Sequence, residues 1–134
     1  MTNIVLASAS PRRAELLRQI GLKFLIRPSN IEERRASNEE PADYVHRLSQ
    51  EKAEHQAGSN AVVIAADTTV VVDNTVLEKP VDASDGVAML MQLSGKVHEV
   101  MTGVTVSGDD RRLSQVVIST VAFKSFDQTV AERY

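Results

Sequence analysis

The most constraining feature of the chain is an apolar run from Ala61 to Ala66 that shows no alternation of polar and apolar residues. A strand with one face in water alternates, whereas a strand covered on both faces reads as a continuous apolar run. The run therefore predicts a central strand of a sheet whose two faces are both covered.

Three helices are indicated by capping residues and by apolar positions at helical spacing. Ser10 suits the position before a helix, Pro11 suits its first residue, and Gly21 suits its end, so residues 11–20 are predicted to be helical. The other two predicted helices run from about Pro41 to Ala57, stopped by Gly58, and from the cap Asp82 to about Leu93, ended by Gly95.

Short apolar segments bounded by turn residues predict the remaining strands. The predicted strands are Ile4–Ala7, Phe24–Ile26, Thr69–Val72, Thr75–Leu77, Val100–Val106 and Leu113–Phe126, with tight turns at Asp73-Asn74 and around Ser107–Asp110. Glu32–Glu40 is predicted to be a loop, and Asp127–Tyr134 to begin a helix. With 134 residues, the chain is expected to form one mixed α/β domain in which helices pack on a sheet.

Composition excludes several classes of protein. The chain has no cysteine, which excludes a disulfide scaffold, a thiolate zinc site and a thiol nucleophile. Its 18 acidic and 15 basic residues give a net charge of −3, which argues against a nucleic-acid partner or an anionic membrane surface. No apolar segment approaches the ~20 residues that span a bilayer. We therefore expect a cytoplasmic protein.

The first candidate site is the segment from Ser8 to Arg13, where a predicted strand leads into a predicted helix. Free backbone N–H groups and the helix dipole favour anions at such a junction. Arg12 and Arg13 oppose that dipole, which suggests that a bound polyanion compensates for them. The alternative is that both arginines point into solvent or pair with acidic loops.

The second candidate is Asp67, which follows the central apolar run. The carboxyl end of a buried strand is where open α/β sheets bind their ligands, and a carboxylate there could hold Mg²⁺ or accept a proton from water. A turn-forming role is the open alternative. Thr68 could add a hydroxyl to the same ligand.

Other charged residues have less distinctive surroundings. Lys52 lies on the apolar side of its predicted helix, so it either extends along that surface to solvent or directs its ammonium into a cleft. Lys79 precedes a proline that restricts its backbone, and Glu33 is either a second metal ligand or a solvated loop residue. His98, within a predicted strand, is interpreted as structural. Taken together, these cations and carboxylates indicate polyphosphate chemistry.

The motifs together resemble the Maf family of nucleoside triphosphate pyrophosphatases, and the resemblance extends over essentially the whole chain. The matching fragments are Leu6-Ala7-Ser8-Ala9-Ser10-Pro11-Arg12-Arg13 with Glu15-Leu16-Leu17, Ile31-Glu32-Glu33, Tyr44-Val45-x-Arg47-Leu48, Lys52-Ala53, Ala66-Asp67-Thr68, Glu78-Lys79-Pro80, Leu93-Ser94-Gly95 and His98-x-Val100-Met101-Thr102-Gly103. Each fragment is weakly diagnostic, but their order makes an accidental match very improbable.

The resemblance implies a mixed twisted sheet flanked by helices, in a Maf/ITPase-like architecture. It also implies hydrolysis of a nucleoside triphosphate between the α- and β-phosphates, with a divalent metal cation (Mg²⁺ or Mn²⁺) as cofactor. By position, Asp67 is the expected proton acceptor, and Glu33 joins it at the metal site. The expected triphosphate-binding residues are Ser8, Arg12, Arg13, Lys52 and Lys79. The family commonly forms homodimers and is linked to nucleotide-pool cleansing and to arrest of cell division.

Two positions point to a subgroup of the family. The subgroup that acts on dTTP and UTP has arginine after the Ser-Pro pair and threonine after the catalytic aspartate, as Arg12 and Thr68 do here. The subgroup that acts on 7-methyl-GTP has tryptophan and glutamine there. The resemblance therefore implies dTTP and UTP as substrates.

The sequence departs from the family pattern at its end. Members normally continue past the position of Tyr134 with a segment containing Lys-Ala-Gly-x-Tyr and a base-selecting glutamine. The expectation is a single Maf-like domain over residues 1–134 that lacks this segment. A catalytically impaired nucleotide-binding or septum-regulating protein is the first alternative, and a nucleic-acid-binding module is the second.

Overall fold

The computed structural model describes residues 3–56, 60–77, 79–108 and 110–134, and its helices and strands follow the predicted order. The elements are β1 (Asn3–Leu6), α1 (Pro11–Gln19), β2 (Leu25–Ile26), α2 (Pro41–His55), β3 (Ala61–Val72), β4 (Thr75–Leu77), α3 (Ala83–Leu93), β5 (Val97–Ser107), β6 (Arg112–Ala122) and α4 (Gln128–Arg133). The mixed α/β prediction is confirmed. The predictions that involve Ala57, Gly58, Glu78 and Asp109 lie outside the described residues.

The strands form one sheet in the order β2-β1-β3-β5-β6, with β4 paired to β3. β1 is parallel to both of its neighbours, and Val5 lies opposite Leu25 on β2 and Val63 on β3. β4 is antiparallel to β3. The combination of parallel and antiparallel pairs explains why the central run is continuously apolar, since the parallel part of a sheet is covered on both faces.

β3 is longer than predicted, and this corrects the position of Asp67. The sequence predicts a strand ending at Ala66 and a separate strand starting at Thr69, but a single strand runs from Ala61 to Val72. Threonine and valine favour extended backbone, and the hairpin to β4 extends the pairing through the second half of β3. Asp67 therefore lies within β3. It is still beyond the parallel partner strand, because β1 ends at Leu6.

The predicted tight turn is confirmed at Asp73-Asn74, which joins β3 to β4. Val72 pairs with Thr75, so the loop has two residues. Both loop residues have positive φ angles, 49° and 60°, as a type I′ hairpin turn requires. Asparagine and aspartate tolerate this left-handed conformation better than other residues with a Cβ atom.

Helix boundaries agree with the predicted caps within two residues. The side chains of Ser10, Asp82 and Asp127 each accept a hydrogen bond from a backbone N–H of the helix that follows. α1 ends at Gln19 and is followed by Gly21 with φ +84°. α2 ends at His55, with Gln56 as its C-cap.

The chain divides into two compact units. The first comprises Met1–Asp67 and Thr102–Val116, and the second comprises Thr68–Met101 and Val117–Tyr134. A core cluster of the first unit is formed by small apolar side chains of β1, the residue after it, α2 and β3, namely Val5, Ala7, Ala53, Val63 and Ala65. The single Maf-like domain expected over residues 1–134 stays a prediction.

In the second unit, β5 carries His98, for which the sequence predicts a structural role. The residue is buried, and its ring packs edge-to-face against Phe123, with 4.7 Å between the ring centroids. Ser94, the C-cap of α3, donates from Oγ to the carbonyl oxygen of Phe126 at 2.9 Å. These contacts join β5 and α3 to the segment that leads into α4.

Within the first unit, α2 lies directly against β5. A Cβ atom on Gly103 would overlap the carbonyl group of Val45 and lie 2.9 Å from the His46 nitrogen. One turn further along α2, the Oγ of Ser49 lies 2.7 Å from the Thr105 hydroxyl in a buried hydrogen bond. These two contacts fix the position of α2 on the sheet, and with it the position of Lys52.

Candidate active site

The centre of the site is a buried ion pair between α2 and β3. Lys52 and Asp67 are each only 8% exposed, and the Lys52 Nζ donates to Asp67 Oδ1 at 2.9 Å. Lys52 lies on the buried face of α2, one turn after Leu48. Of the two roles that the sequence left open for this lysine, the structure shows the one in which the ammonium is directed inward.

A second carboxylate meets the same ammonium. The Lys52 Nζ lies 2.6 Å from Glu33 Oε1, and the Glu33 side chain is 32% exposed. Glu33 belongs to the segment between β2 and α2, which contains no helix or strand. One cation is therefore shared by a buried carboxylate and a carboxylate that is partly open to solvent.

The turn after β1 contributes a hydroxyl and a guanidinium. Ser8 is buried, and its Oγ accepts hydrogen bonds from Arg13 Nη1 at 3.0 Å and from the Ser10 backbone N–H at 3.2 Å. The same Arg13 Nη1 donates to the Ala66 carbonyl at 3.1 Å. These hydrogen bonds offset the unfavourable position of Arg13 at the positive end of α1. They also bring its guanidinium to the residue that precedes Asp67.

The remaining predicted site residues are Arg12, Thr68 and Lys79. Arg12 is exposed in the first turn of α1. Thr68 and Lys79 are exposed and belong to the second unit. The first unit thus brings together Ser8, Arg13, Glu33, Lys52 and Asp67.

The surroundings of Asp67 raise the pKa of its carboxyl group above the usual value. Burial is the main cause, because removal from water disfavours the charged form. The hydrogen bond and the charge of Lys52 lower the pKa in opposition, the charge of Glu33 raises it, and the charge of Arg13 lowers it. A carboxylate with raised proton affinity is better suited to accept a proton than an ordinary surface aspartate.

Glu33 and Asp67 are the residues that could hold a divalent cation. Mg²⁺ retains several waters and is commonly bound by one or two carboxylates together with substrate phosphates. The two carboxylates already share one cationic partner, Lys52, so their placement fits that requirement. Among the described residues there is no cluster of three side chains of the metal-ligating types. Substrate oxygens and water would have to complete the coordination.

Sequence reasoning missed the role of Arg47, although this residue is part of one of the matching motifs. Its Nε donates to Glu39 Oε2 and its Nη2 to Glu39 Oε1, each at 2.9 Å. This bidentate contact lowers the pKa of Glu39 from 4.5 to about 2, chiefly through the hydrogen bonds from Arg47. The spacing of Arg47 and Glu51 on one helix face was the available signal, but Glu39 lies outside the helix.

The Arg47–Glu39 pair predicts a specific loss of stability in acid. A carboxyl group whose pKa is lowered on folding stabilises the folded state above its unfolded pKa, and this stabilisation is lost as the pH falls. Between pH 4.5 and about 2 the pair should therefore lose about 1 kcal/mol of stabilisation, a value reduced for its partial exposure. Denaturation at a series of pH values should show this slope in the wild type and a flatter one in Glu39→Gln.

A suitable control for this prediction is Glu15→Gln. Glu15 lies 3.9 Å from Arg18, and both side chains are more than half exposed. This substitution should leave the slope unchanged. An equally steep acid transition in Glu39→Gln would contradict the assignment.

Comparison with known proteins identifies the fold of the chain and then its family. A solved structure described as a HAM1 protein from Coxiella burnetii superposes with a TM-score of 0.55 over 91% of this chain and 73% of that one. At 13% identity this likeness defines the fold class, a HAM1-like α/β sheet. The family described as Maf-like protein matches residues 3–134. The chain belongs to the Maf family.

Curated relatives agree with this family membership. A dTTP/UTP pyrophosphatase of Vibrio cholerae is 48% identical over 137 residues, which cover 100% of this chain and 73% of the relative. A protein of the same name from Saccharophagus degradans is 41% identical, over 98% of this chain and 66% of its own length. In the part of the chain that the structure describes, no helix has the length and apolar character needed to cross a membrane.

Proposed function

We propose that the protein is a nucleoside triphosphate pyrophosphatase that converts dTTP and UTP into the nucleoside monophosphate and pyrophosphate. The observation that carries this proposal is the buried Asp67–Lys52 pair with Glu33 on the same ammonium. Membership of the Maf family and the names of the similar proteins support the choice of reaction.

Asp67 is the proposed proton acceptor. It takes a proton from a water molecule whose oxygen forms a bond to the α-phosphorus, while the bond from that phosphorus to the α,β-bridging oxygen breaks and pyrophosphate leaves. The raised pKa of Asp67 favours this proton transfer, because a general base works best when its pKa approaches the working pH. The hydrogen bond from Lys52 to Oδ1 orients the carboxylate.

Ser8, Arg12, Arg13, Lys52 and Lys79 are the proposed triphosphate-binding residues. Arg13 approaches Asp67 through the Ala66 carbonyl, and the N-terminus of α1 adds backbone N–H groups to the same side. Guanidinium groups bind phosphate oxygens with two parallel hydrogen bonds, which suits the exposed Arg12 to an incoming polyanion. Positioning and charge neutralisation are the main requirements of phosphoryl chemistry.

Mg²⁺ or Mn²⁺ is the proposed cofactor, with Glu33 and Asp67 as its protein ligands. The ion would neutralise charge on the phosphate oxygens. Glu33 is the more accessible of the two carboxylates, so it is the one that an incoming ion can reach first. Lys52 contacts both carboxylates and so keeps them close together.

Arg12 and Thr68 are the proposed determinants of base preference. Arginine offers hydrogen bonds in place of the stacking surface that tryptophan would provide. Nucleotide-pool cleansing is the cellular role that suits such an activity. Arrest of cell division, a cytoplasmic location and a homodimeric state are proposed on the family resemblance alone.

A panel of triphosphates with Mg²⁺ or Mn²⁺ tests the activity, with pyrophosphate and orthophosphate measured separately. We expect kcat/KM for dTTP and UTP to exceed that for ATP and GTP by about tenfold or more, because selective polar recognition of a base gives at least this discrimination. Orthophosphate as the direct product would contradict the proposal. Calorimetric binding of nucleotide without turnover would identify the impaired, nucleotide-binding alternative.

A further inference from the structure

The segment that carries Glu33 runs along α2 and is attached to it at two places. The first attachment lies near the end of the helix. Gln56 donates from Nε2 to the Pro28 carbonyl at 3.0 Å, and Ser29 donates from Oγ to the Lys52 carbonyl at 2.8 Å. This attachment holds the part of the segment that precedes Glu33 in the sequence, between β2 and Glu33.

The second attachment is made by Arg47, one turn before Glu51 on α2. Besides its two hydrogen bonds to Glu39, Arg47 donates from Nη2 to the Arg34 carbonyl at 2.9 Å. Its Nη1 donates to Glu51 Oε2 at 3.0 Å, so all three guanidinium nitrogens have acceptors. The guanidinium also lies over the Tyr44 ring, 5.6 Å from the centroid.

Glu39 in turn closes a tight turn in the same segment. Its backbone N–H donates to the Ala36 carbonyl at 3.0 Å, and its Oε1 accepts from the Ala36 N–H at 3.0 Å. Asn38, within this turn, has a φ of 67°. Arg47 therefore contacts the turn at Glu39 and, directly next to Glu33, the backbone of Arg34.

We infer that Arg47 is a positioning residue that holds Glu33 against Lys52 and thereby presents the Glu33 carboxylate to a divalent cation. The inference rests on the proposed function, since that function assigns Glu33 to the metal. Two attachments flank Glu33, and Arg47 forms the one adjacent to it, at the Arg34 carbonyl. Residues that orient a metal ligand typically change metal affinity by about 10–100-fold when they are replaced.

Arg47→Lys is the substitution that tests this role. Lysine keeps the positive charge but cannot bridge Glu39, Glu51 and the Arg34 carbonyl at once. We expect the dissociation constant for Mn²⁺, measured by calorimetry without nucleotide, to rise about tenfold. With saturating metal, kcat should stay within about twofold of the wild type, because Arg47 does not contact the reacting groups.

Arg34→Ala is the matched control. Arg47 contacts the backbone carbonyl of Arg34, whereas the Arg34 side chain is exposed and pairs with Glu32 at 3.0 Å. This substitution removes a cation from the same segment and keeps the attachment. Its Mn²⁺ affinity should equal that of the wild type. If Arg34→Ala and Arg47→Lys lowered the Mn²⁺ affinity by similar factors, overall charge would explain the effect. That result would overturn the inference.

Glu33→Gln separates positioning from a general loss of stability. If Arg47 acts through Glu33, Arg47→Lys should have no further effect on Mn²⁺ affinity in the Glu33→Gln background. Additive losses, or an unchanged Mn²⁺ affinity in Arg47→Lys, would overturn the inference. Should Arg47→Lys fail to fold, Glu39→Gln weakens the same attachment and should weaken Mn²⁺ binding in the same direction.

The two proposals fail in different ways. A wild-type protein that binds Mn²⁺ but releases no pyrophosphate from any triphosphate would refute the proposed function. The calorimetric comparison would still measure whether Arg47 holds Glu33. Conversely, an active wild type whose Mn²⁺ affinity is insensitive to Arg47→Lys would refute the positioning role alone.

Discussion

Replacement of Asp67 by asparagine is expected to lower kcat by about 10²–10⁴-fold, the range typical for loss of a general base. Asparagine retains the size of the side chain and an oxygen that can accept from Lys52, but it cannot accept a proton at neutral pH. KM should change little, because the phosphate contacts proposed for Ser8 and Arg13 remain. The measurement is pyrophosphate release from dTTP at saturating substrate and metal.

Asp67→Asn should also change how the free energy of unfolding depends on pH. Because the pKa of Asp67 is raised on folding, its contribution to the free energy of unfolding is greatest below the ordinary pKa of 3.8 and declines as the pH rises through the folded-state value. Asp67→Asn should lack this decline. Urea denaturation at a series of pH values measures the difference.

Asp43→Asn is the matched control for both readouts. Asp43 is exposed in the first turn of α2, so its replacement removes one carboxylate from the same unit without touching the site. Activity and the pH dependence of stability should remain those of the wild type. Wild-type turnover in Asp67→Asn would refute the assigned role of this residue.

Gly103→Ala is expected to lower the free energy of unfolding by about 1–3 kcal/mol or more, because it inserts a methyl group into a closed contact. The atoms that the methyl group would meet belong to the backbone of α2 at Val45 and His46, which cannot rotate away as a side chain can. α2 would have to shift away from β5, and Lys52 would shift with it. We therefore expect activity to fall as well, with thermal denaturation and pyrophosphate release as the two measurements.

Gly86→Ala provides the control for this glycine. Gly86 lies in α3, and the nearest atom to an added Cβ is the Pro80 Cβ at 3.7 Å, an ordinary contact distance. Alanine is favoured over glycine in a helix by about 1 kcal/mol, so this variant should be as stable as the wild type or more so. Full stability in Gly103→Ala would mean that α2 does not lie directly on β5.

Local signals in the sequence were sufficient for much of the fold. Ser10 and Asp82 are caps because a short polar side chain before a helical pattern satisfies free backbone N–H groups, and that requirement is purely local. The Asp73-Asn74 turn is equally local. The extent of β3 could not be obtained this way, because its second half depends on pairing with β4.

In the candidate site, too, the sequence predicts what local residues determine and not what contacts between distant elements determine. The sequence identified Asp67, and it placed Lys52 on the correct side of its helix. It could not decide where the Lys52 ammonium points, because the partners Glu33 and Asp67 are brought to it by other elements. Arg47 was missed for the same reason: Glu39 and the Arg34 carbonyl become its acceptors only when the preceding segment folds along α2.

Phosphorus-31 NMR of dTTP hydrolysis in ¹⁸O-labelled water tests most directly whether Asp67 activates water against the α-phosphorus. We expect dTMP and pyrophosphate in equal amounts, with the label in the dTMP phosphate and with both products suppressed in Asp67→Asn. Formation of dTDP and orthophosphate, or label in the pyrophosphate, would contradict that chemistry.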